Sequence, residues 1–132
     1  MSRAVHHLDL WVVDLALADG EWGWLLGELA WETGSAGDAG RSWAHPDGTQ
    51  LFLQCPPDRH GEAHDRMRPG LNHLALRTDE RGLLDRMRAE SSAHGWHELY
   101  ADRYPHAGGD EHVALYLENS EGFEVEVVWE RA

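Results

Sequence analysis

Cysteine is nearly absent from this chain of 132 residues, Cys55 being the only one, so no disulfide can form within it. Basic residues are also few: eleven Lys and Arg stand against twenty-four Asp and Glu, a formal charge of −13. No cluster of cations is present to neutralise a phosphate backbone, so nucleic acid and anionic membrane are excluded as expected partners. No apolar run approaches the roughly 18 residues of a membrane span, and Met1 leads within a few residues into His6-His7-Leu8-Asp9 without an apolar signal segment. Together these absences give the expectation of a cytoplasmic protein in a reducing compartment. What remains is 42% hydrophobic with seven Trp, enough to build the core of a single domain over residues 1–132.

The clearest pattern lies at the end of the sequence, in residues 112–130. Two runs alternate polar and apolar residues around a turn at Asn119-Ser-Glu-Gly122, as a half-buried hairpin does. In the second run Val125, Val127 and Trp129 share the core face, while Glu124, Glu126 and Val128 share the other. A carboxylate in mid-strand is costly unless its face is wet or the group has a partner, and this singles out Glu126.

Read in order, residues 5–13 form a strand with Leu8, Leu10 and Val12 inward and His7, Asp9 and Trp11 on the opposite face. Residues 14–20 read as a turn, with Asp19 the cap of a helix that carries Trp22, Leu25, Leu26 and Leu29. Short strands at 30–34 and 41–45 flank a Gly/Ser-rich stretch. His45-Pro-Asp-Gly48 turns the chain into a strand at 49–54, with Leu51 and Leu53 inward. Residues 56–69 are charged, hold three of the five prolines and lack periodicity, so they read as a linker between module 1 (about 1–55) and module 2 (about 70–132). A strand at 71–78 then turns Leu74 and Leu76 inward and His73, Ala75 and Arg77 outward. Asp79 is the expected cap of a helix bearing Leu83, Leu84 and Met87, with Gly95 its terminator. A short strand at 96–100, a Gly-, Asp- and His-rich loop at 101–111 and the closing hairpin complete the chain.

The two halves repeat the same order of elements. His7-Leu-Asp-Leu10 aligns with His73-Leu-Ala-Leu76, and Phe52 and Glu126 each stand four residues past the glycine of a turn, Gly48 and Gly122. The expected architecture is therefore α+β: two βαβββ modules forming a paired, cup-shaped mixed sheet with helices outside. In such a pairing His7, Phe52, His73 and Glu126 converge, and three of the four are metal ligands by residue type.

This plan and these motifs resemble the vicinal oxygen chelate superfamily, which includes glyoxalase I, fosfomycin-resistance enzymes, extradiol dioxygenases and bleomycin-resistance proteins. The resemblance spans essentially the whole chain and rests on His7 seven residues before Asp14, on His73, and on Glu126 four residues past Gly122. It implies that His7, His73 and Glu126 ligate a divalent metal ion, Fe, Mn, Zn or Ni, with sites left open for a small-molecule substrate. Asp9, Gln50, Gln54, Arg77, His112, Tyr116, Glu118 and Glu124 are expected on the same polar face, with Tyr116 and the loop residue His106 as candidate catalytic groups and Tyr104 beside His106 at the mouth. Phe52 stands where a glyoxalase I carries a second carboxylate, which disfavours that reaction. The run from Tyr116 to Glu126 resembles the extradiol dioxygenase pattern more closely, although Ser120 replaces its proline and His112 lies too near Tyr116 to match its histidine. A metal-free, drug-binding member of the same fold is the alternative that the acidic charge leaves open. A homodimer is expected, with the modules paired within one chain or exchanged between two.

Overall fold

The computed structural model describes residues 3–132, and the chain divides into two units, residues 1–63 and 64–132. Each is a four-stranded mixed sheet with one α-helix, and the topology is the same in both.

The first unit runs β1 (His7–Trp11), α1 (Leu15–Glu28), β2 (Glu32–Ala36), β3 (Gly40–Ala44) and β4 (Gln50–Gln54), with spatial order β1-β4-β3-β2. β1 and β4 are parallel, with Asp9 opposite Phe52, and β3 and β4 are antiparallel, with Ser42 opposite Phe52. The helix α1 packs on β2, β3 and β4. Trp22, Leu25 and Leu26 from the helix and Trp43, Leu51 and Leu53 from the sheet are buried almost completely. At about 1.5–3 kcal/mol for each large side chain withdrawn from water, this cluster is the main source of stability of the unit.

The helix begins earlier than the sequence suggests. Asp14, not Asp19, is its cap: the Asp14 carboxylate accepts from the Leu17 backbone N–H at 3.0 Å. Leu15-Ala-Leu-Ala18 has good helix propensity and follows that acceptor directly, and its gain outweighs the roughly 1 kcal/mol cost of Gly20 inside the helix. Asp19 instead lies within the helix and pairs with Arg41 at 3.3 Å.

The second unit runs β5 (Leu74–Thr78), α2 (Arg81–Glu90), a 3₁₀ turn (Ser91–His94), β6 (His97–Leu99), β7 (Ala114–Glu118) and β8 (Glu124–Trp129), ordered β5-β8-β7-β6. β5 and β8 are parallel, with Ala75 opposite Glu126; β7 and β8 are antiparallel, with Tyr116 opposite Glu126. α2 packs against β7 and β8, burying Leu83, Leu84 and Met87 on Leu115, Leu117, Val125 and Val127. Its cap is Glu80 rather than Asp79, and no side chain closes it; the Thr78 hydroxyl instead accepts from the Glu80 N–H at 3.1 Å. Gly95 ends the 3₁₀ turn in the left-handed region, as the sequence indicates.

Residues 64–69 pack into the second unit. The His64 ring stacks on Phe123 with centroids 4.4 Å apart, and its backbone N–H donates to the Glu121 carbonyl at 3.0 Å. Gly122 permits this approach: its φ is +90°, and a Cβ there would stand 2.5 Å from the His64 carbonyl oxygen. Among the described residues no helix is long and apolar enough to cross a membrane.

Candidate functional site

The helix-free face of the second sheet carries the candidate site. Because side chains alternate along β7 and β8, Tyr116 and Glu118 share this face with Glu124 and Glu126. The two β8 carboxylates are not solvated: Glu124 is 4% exposed and Glu126 5%. Burying two carboxylates side by side requires partners, and each has its own.

Glu126 lies between two imidazoles. His73 Nε2 stands 3.2 Å from its Oε1, and His112 Nε2 is in hydrogen-bond contact with its Oε2. His73 immediately precedes β5 and His112 stands two residues before β7, so neighbours of β8 on both sides deliver them. Among the described residues no three His, Cys, Asp or Glu side chains converge on a common point where a metal could sit. As they stand, the imidazoles face different oxygens of one carboxylate.

The proton on His73 is placed by its neighbours. Asn72 Nδ2 donates to the Arg66 carbonyl at 3.0 Å, which orients the amide so that Oδ1 faces His73 Nδ1 at 2.7 Å. An amide oxygen only accepts, so His73 Nδ1 carries the hydrogen, and in the neutral ring Nε2 is a bare lone pair aimed at Glu126. A lone pair facing a carboxylate oxygen is repulsive unless a cation, either a proton on Nε2 or a metal ion, sits between them. A divalent ion fits between His73 and Glu126 as a proton does, and Asn72, bonded in turn to the Arg66 carbonyl, supports the ring from its other side.

Tyr116 completes this part of the face. Its phenol is pushed up to about 12, by burial first and then by the negative charge of Glu126 and the hydrogen bond between them. Tyr100 packs edge-on to Tyr116 with ring centroids 5.4 Å apart, and holds a left-handed backbone, φ 58°, unusual for a bulky residue.

Glu124 is neutralised by Arg66, whose Nη1 lies 3.1 Å away while its Nε bonds Glu118 at 2.9 Å. Arg66 and Asn72 are the site residues that sequence reasoning missed. Arg66 lies in a proline-bearing segment without periodicity; the one available signal was a buried-strand carboxylate, Glu124, in need of a cation.

The loop after β6 is docked, not loose. His106 is exposed, with Nδ1 3.2 Å from the His112 carbonyl oxygen. Tyr104 turns to the helix, donating to Asp85 of α2 at 2.6 Å and lying under the Arg88 guanidinium, so it does not face Glu126. In the first unit, His7 is exposed and packs edge-on to Phe52 with centroids 5.6 Å apart, while Gln54 Nε2 donates to Asp9 at 2.9 Å. Cys55 is half-buried, its thiol 3.2 Å from the Val13 carbonyl oxygen.

Comparison with known proteins agrees with this architecture. The sequence model of the Glyoxalase/Bleomycin resistance protein/Dioxygenase superfamily matches residues 6–116. The chain is 35% identical over 124 residues to the uncharacterized protein YqjT of Bacillus subtilis (strain 168), covering 94% of this chain and 97% of that protein. The crystal structure of a candidate glyoxalase from Bacillus halodurans superposes with a TM-score of 0.88 at 34% identity, over 96% of each chain. A glyoxalase/bleomycin resistance protein from Albidiferax ferrireducens T118 shares the fold, with a TM-score of 0.77 at 18% identity, over 97% of this chain and 99% of that one. This chain belongs to the Glyoxalase/Bleomycin resistance protein/Dioxygenase superfamily.

Proposed function

We propose that the chain is a metal-dependent enzyme whose substrate is a small oxygenated molecule, chelated through two vicinal oxygens to a divalent ion held by His7, His73 and Glu126. The observation that carries this reading is His73 Nε2 standing 3.2 Å from an oxygen of the buried Glu126 carboxylate, with Nδ1 of the same ring 2.7 Å from the Asn72 amide oxygen. Two imidazoles and a carboxylate suit Fe, Mn, Zn or Ni with positions left open. His7 is contributed within the chain or across a homodimer.

When bound, the ion supplies Lewis acidity toward the chelated oxygens. Tyr116, opposite Glu126 on the antiparallel neighbour, serves as a hydrogen-bond donor to a substrate oxygen. His106 is a second donor, reaching the ligand from the loop. Phe52 can neither accept nor donate a proton, so the proton relay of a glyoxalase I, with a carboxylate on each half, is disfavoured.

The test is elemental analysis of protein prepared without a polyhistidine tag and reconstituted separately with iron, manganese, zinc and nickel. One equivalent per chain is expected with at least one ion, and Glu126→Gln, which removes the only ligand charge, is expected to lose it. No retained metal with any of the four overturns the reading. It would leave the fold as a metal-free binder, in which the acidic surface receives a cationic small molecule.

A further inference from the structure

His112 has no counterpart in the ligand set above, yet it is placed on Glu126 as closely as His73 is. We propose that His112 is a positioning residue for the Glu126 carboxylate, and that residue 108 must be glycine so that the loop over residues 105–112 can seat both His112 and Tyr116 against it. The proposal rests on the metal reading of Glu126 and adds what holds that group in place.

A carboxylate that ligates through one oxygen keeps its orientation only if the other oxygen is held. Here Oε2 accepts from His112 Nε2, which leaves Oε1 directed toward His73. The His112 ring is in turn fixed from above. A Cβ on Gly108 would stand 2.5 Å from His112 Cδ2 and 2.6 Å from the Tyr116 hydroxyl, so the bare backbone of residue 108 lies directly against both rings. Gly108 is not in the left-handed region, whereas Gly109 is, at φ +132°. Alanine at 108 is therefore permitted by the backbone but meets the two side chains, which must shift to admit it. The loop is tied down independently of that contact: His106 N–H donates to the Arg103 carbonyl at 2.7 Å, Gly109 N–H to the His106 carbonyl at 3.1 Å and His112 N–H to the Gly109 carbonyl at 3.1 Å. A methyl group at 108 must displace the rings or shift this hydrogen-bonded turn together with His112, which it carries.

The consequence is a prediction about a residue that makes no polar contact with the site. Hydrogen-bonding partners of metal-ligating groups change affinity by about ten- to a hundredfold when removed. The experiment measures the dissociation constant of the ion that wild type retains, by competition with a chromophoric chelator, for wild type, His112→Ala, His112→Gln, Gly108→Ala and Gly27→Ala. The last is a control in α1, where an added methyl meets nothing within 4 Å. Circular dichroism and the denaturation midpoint check that each variant folds, and the absorption spectrum of a cobalt-loaded sample reports the ligand field directly. His112→Ala and Gly108→Ala are expected to weaken binding by about ten- to a hundredfold and to alter the cobalt spectrum alike. His112→Gln, which returns an N–H near the position of Nε2, is expected to stay within about threefold of wild type, as is Gly27→Ala. Unchanged affinity in His112→Ala overturns the positioning role while leaving the metal site intact. Unchanged affinity and spectrum in Gly108→Ala overturn the seating by the loop. Wild type that binds no metal removes the ligand reading itself, and this inference with it.

Discussion

Phe52 and Glu126 occupy the same position in two copies of one module. Phe52 lies opposite Asp9 on the parallel neighbour and Ser42 on the antiparallel one; Glu126 lies opposite Ala75 and Tyr116 in the same two roles. Each faces an imidazole, His7 edge-on to the Phe52 ring and His73 against the Glu126 carboxylate. The repeat thus keeps the contact and changes its chemistry, so that one copy offers a carboxylate and the other a hydrocarbon wall.

That asymmetry sets the first expected outcome. A general base contributes about 10²–10⁴-fold to a proton-transfer step, and Phe52 supplies none of it. Metal-reconstituted wild type is expected to give no rate above the free-metal control in a glyoxalase I assay. A measurable kcat there would show that the second carboxylate is dispensable or is supplied from elsewhere.

Asn72 is expected to govern His73 without touching the ion. Asn72→Leu removes the acceptor that holds the hydrogen on Nδ1, so the ring is free to move that hydrogen to Nε2 and lose its ligating lone pair. Metal affinity is expected to fall by roughly ten- to a hundredfold, and Asn72→Asp, which keeps an acceptor, to retain more of it. Nitrogen-15 imidazole spectra of the metal-free proteins read the tautomer directly, and a His73 signal unchanged in Asn72→Leu would refute the relay.

Much of this was legible in the sequence, and the parts that were not share a cause. Alternation along 124–129 and at Leu51 and Leu53 predicts the faces observed, because a strand has a fixed period and a buried side. The repeat predicts the common topology and the equivalence of Phe52 and Glu126. Arg66, Asn72 and His112 were not assigned their contacts because they stand in irregular backbone, where no period relates position to direction. The burial of Glu124 is hidden for the same reason: its partner comes from residues 64–69, which show no pattern. The helix is capped by Asp14 and not Asp19 because the stretch 14–20, which reads as a turn, tolerates its glycine within the helix, and that tolerance depends on packing that the sequence does not display.

The Tyr104–Asp85 pair gives a pH dependence unconnected to the metal. The hydrogen bond from the Tyr104 hydroxyl is the largest influence on the Asp85 carboxyl and, with a lesser contribution from the Arg81 charge, holds it below its ordinary value although burial opposes them. Its folded-state value is depressed, so its contribution to stability is present above the unfolded value of about 3.9 and is lost as pH falls through the folded one. Tyr104→Phe is expected to raise the Asp85 titration midpoint in carbon-13 spectra and to reduce stability at pH 7. The difference from wild type should shrink below about pH 4 as the unfolded carboxyl protonates. Metal affinity is expected to stay unchanged, because Tyr104 is engaged with α2.

A homodimer is the expected assembly. β2 is an edge strand whose five residues are all exposed, and edges of this kind are commonly covered by a second chain. Sedimentation velocity at micromolar concentration is expected to give about twice the mass of the 14.9 kDa chain. A single species at the chain mass would contradict it.

Arg66 is the cation on which burial of Glu124 depends, and this separates stability from metal binding. Removing one partner of a buried ion pair leaves the other charge uncompensated, which costs about 3–5 kcal/mol. Half-exposed Glu118 already shares the guanidinium and loses little when it is freed, so Arg66→Ala is expected to destabilise by roughly 3 kcal/mol through Glu124. If that account is correct, neutralising Glu124 in the same chain should recover much of the loss. The double variant Arg66→Ala/Glu124→Gln is then expected to be more stable than Arg66→Ala alone, with a coupling on the order of 1–3 kcal/mol from urea denaturation. Glu124→Gln by itself is expected to leave metal affinity within about threefold, since Glu126 and not Glu124 faces the imidazoles, and Arg66→Ala should preserve the Asn72 contact because that bond goes to the Arg66 backbone carbonyl. Additive losses in the double variant would show that Arg66 acts through the packing of its hydrocarbon stem, and that Glu124 reaches water when the cation is gone.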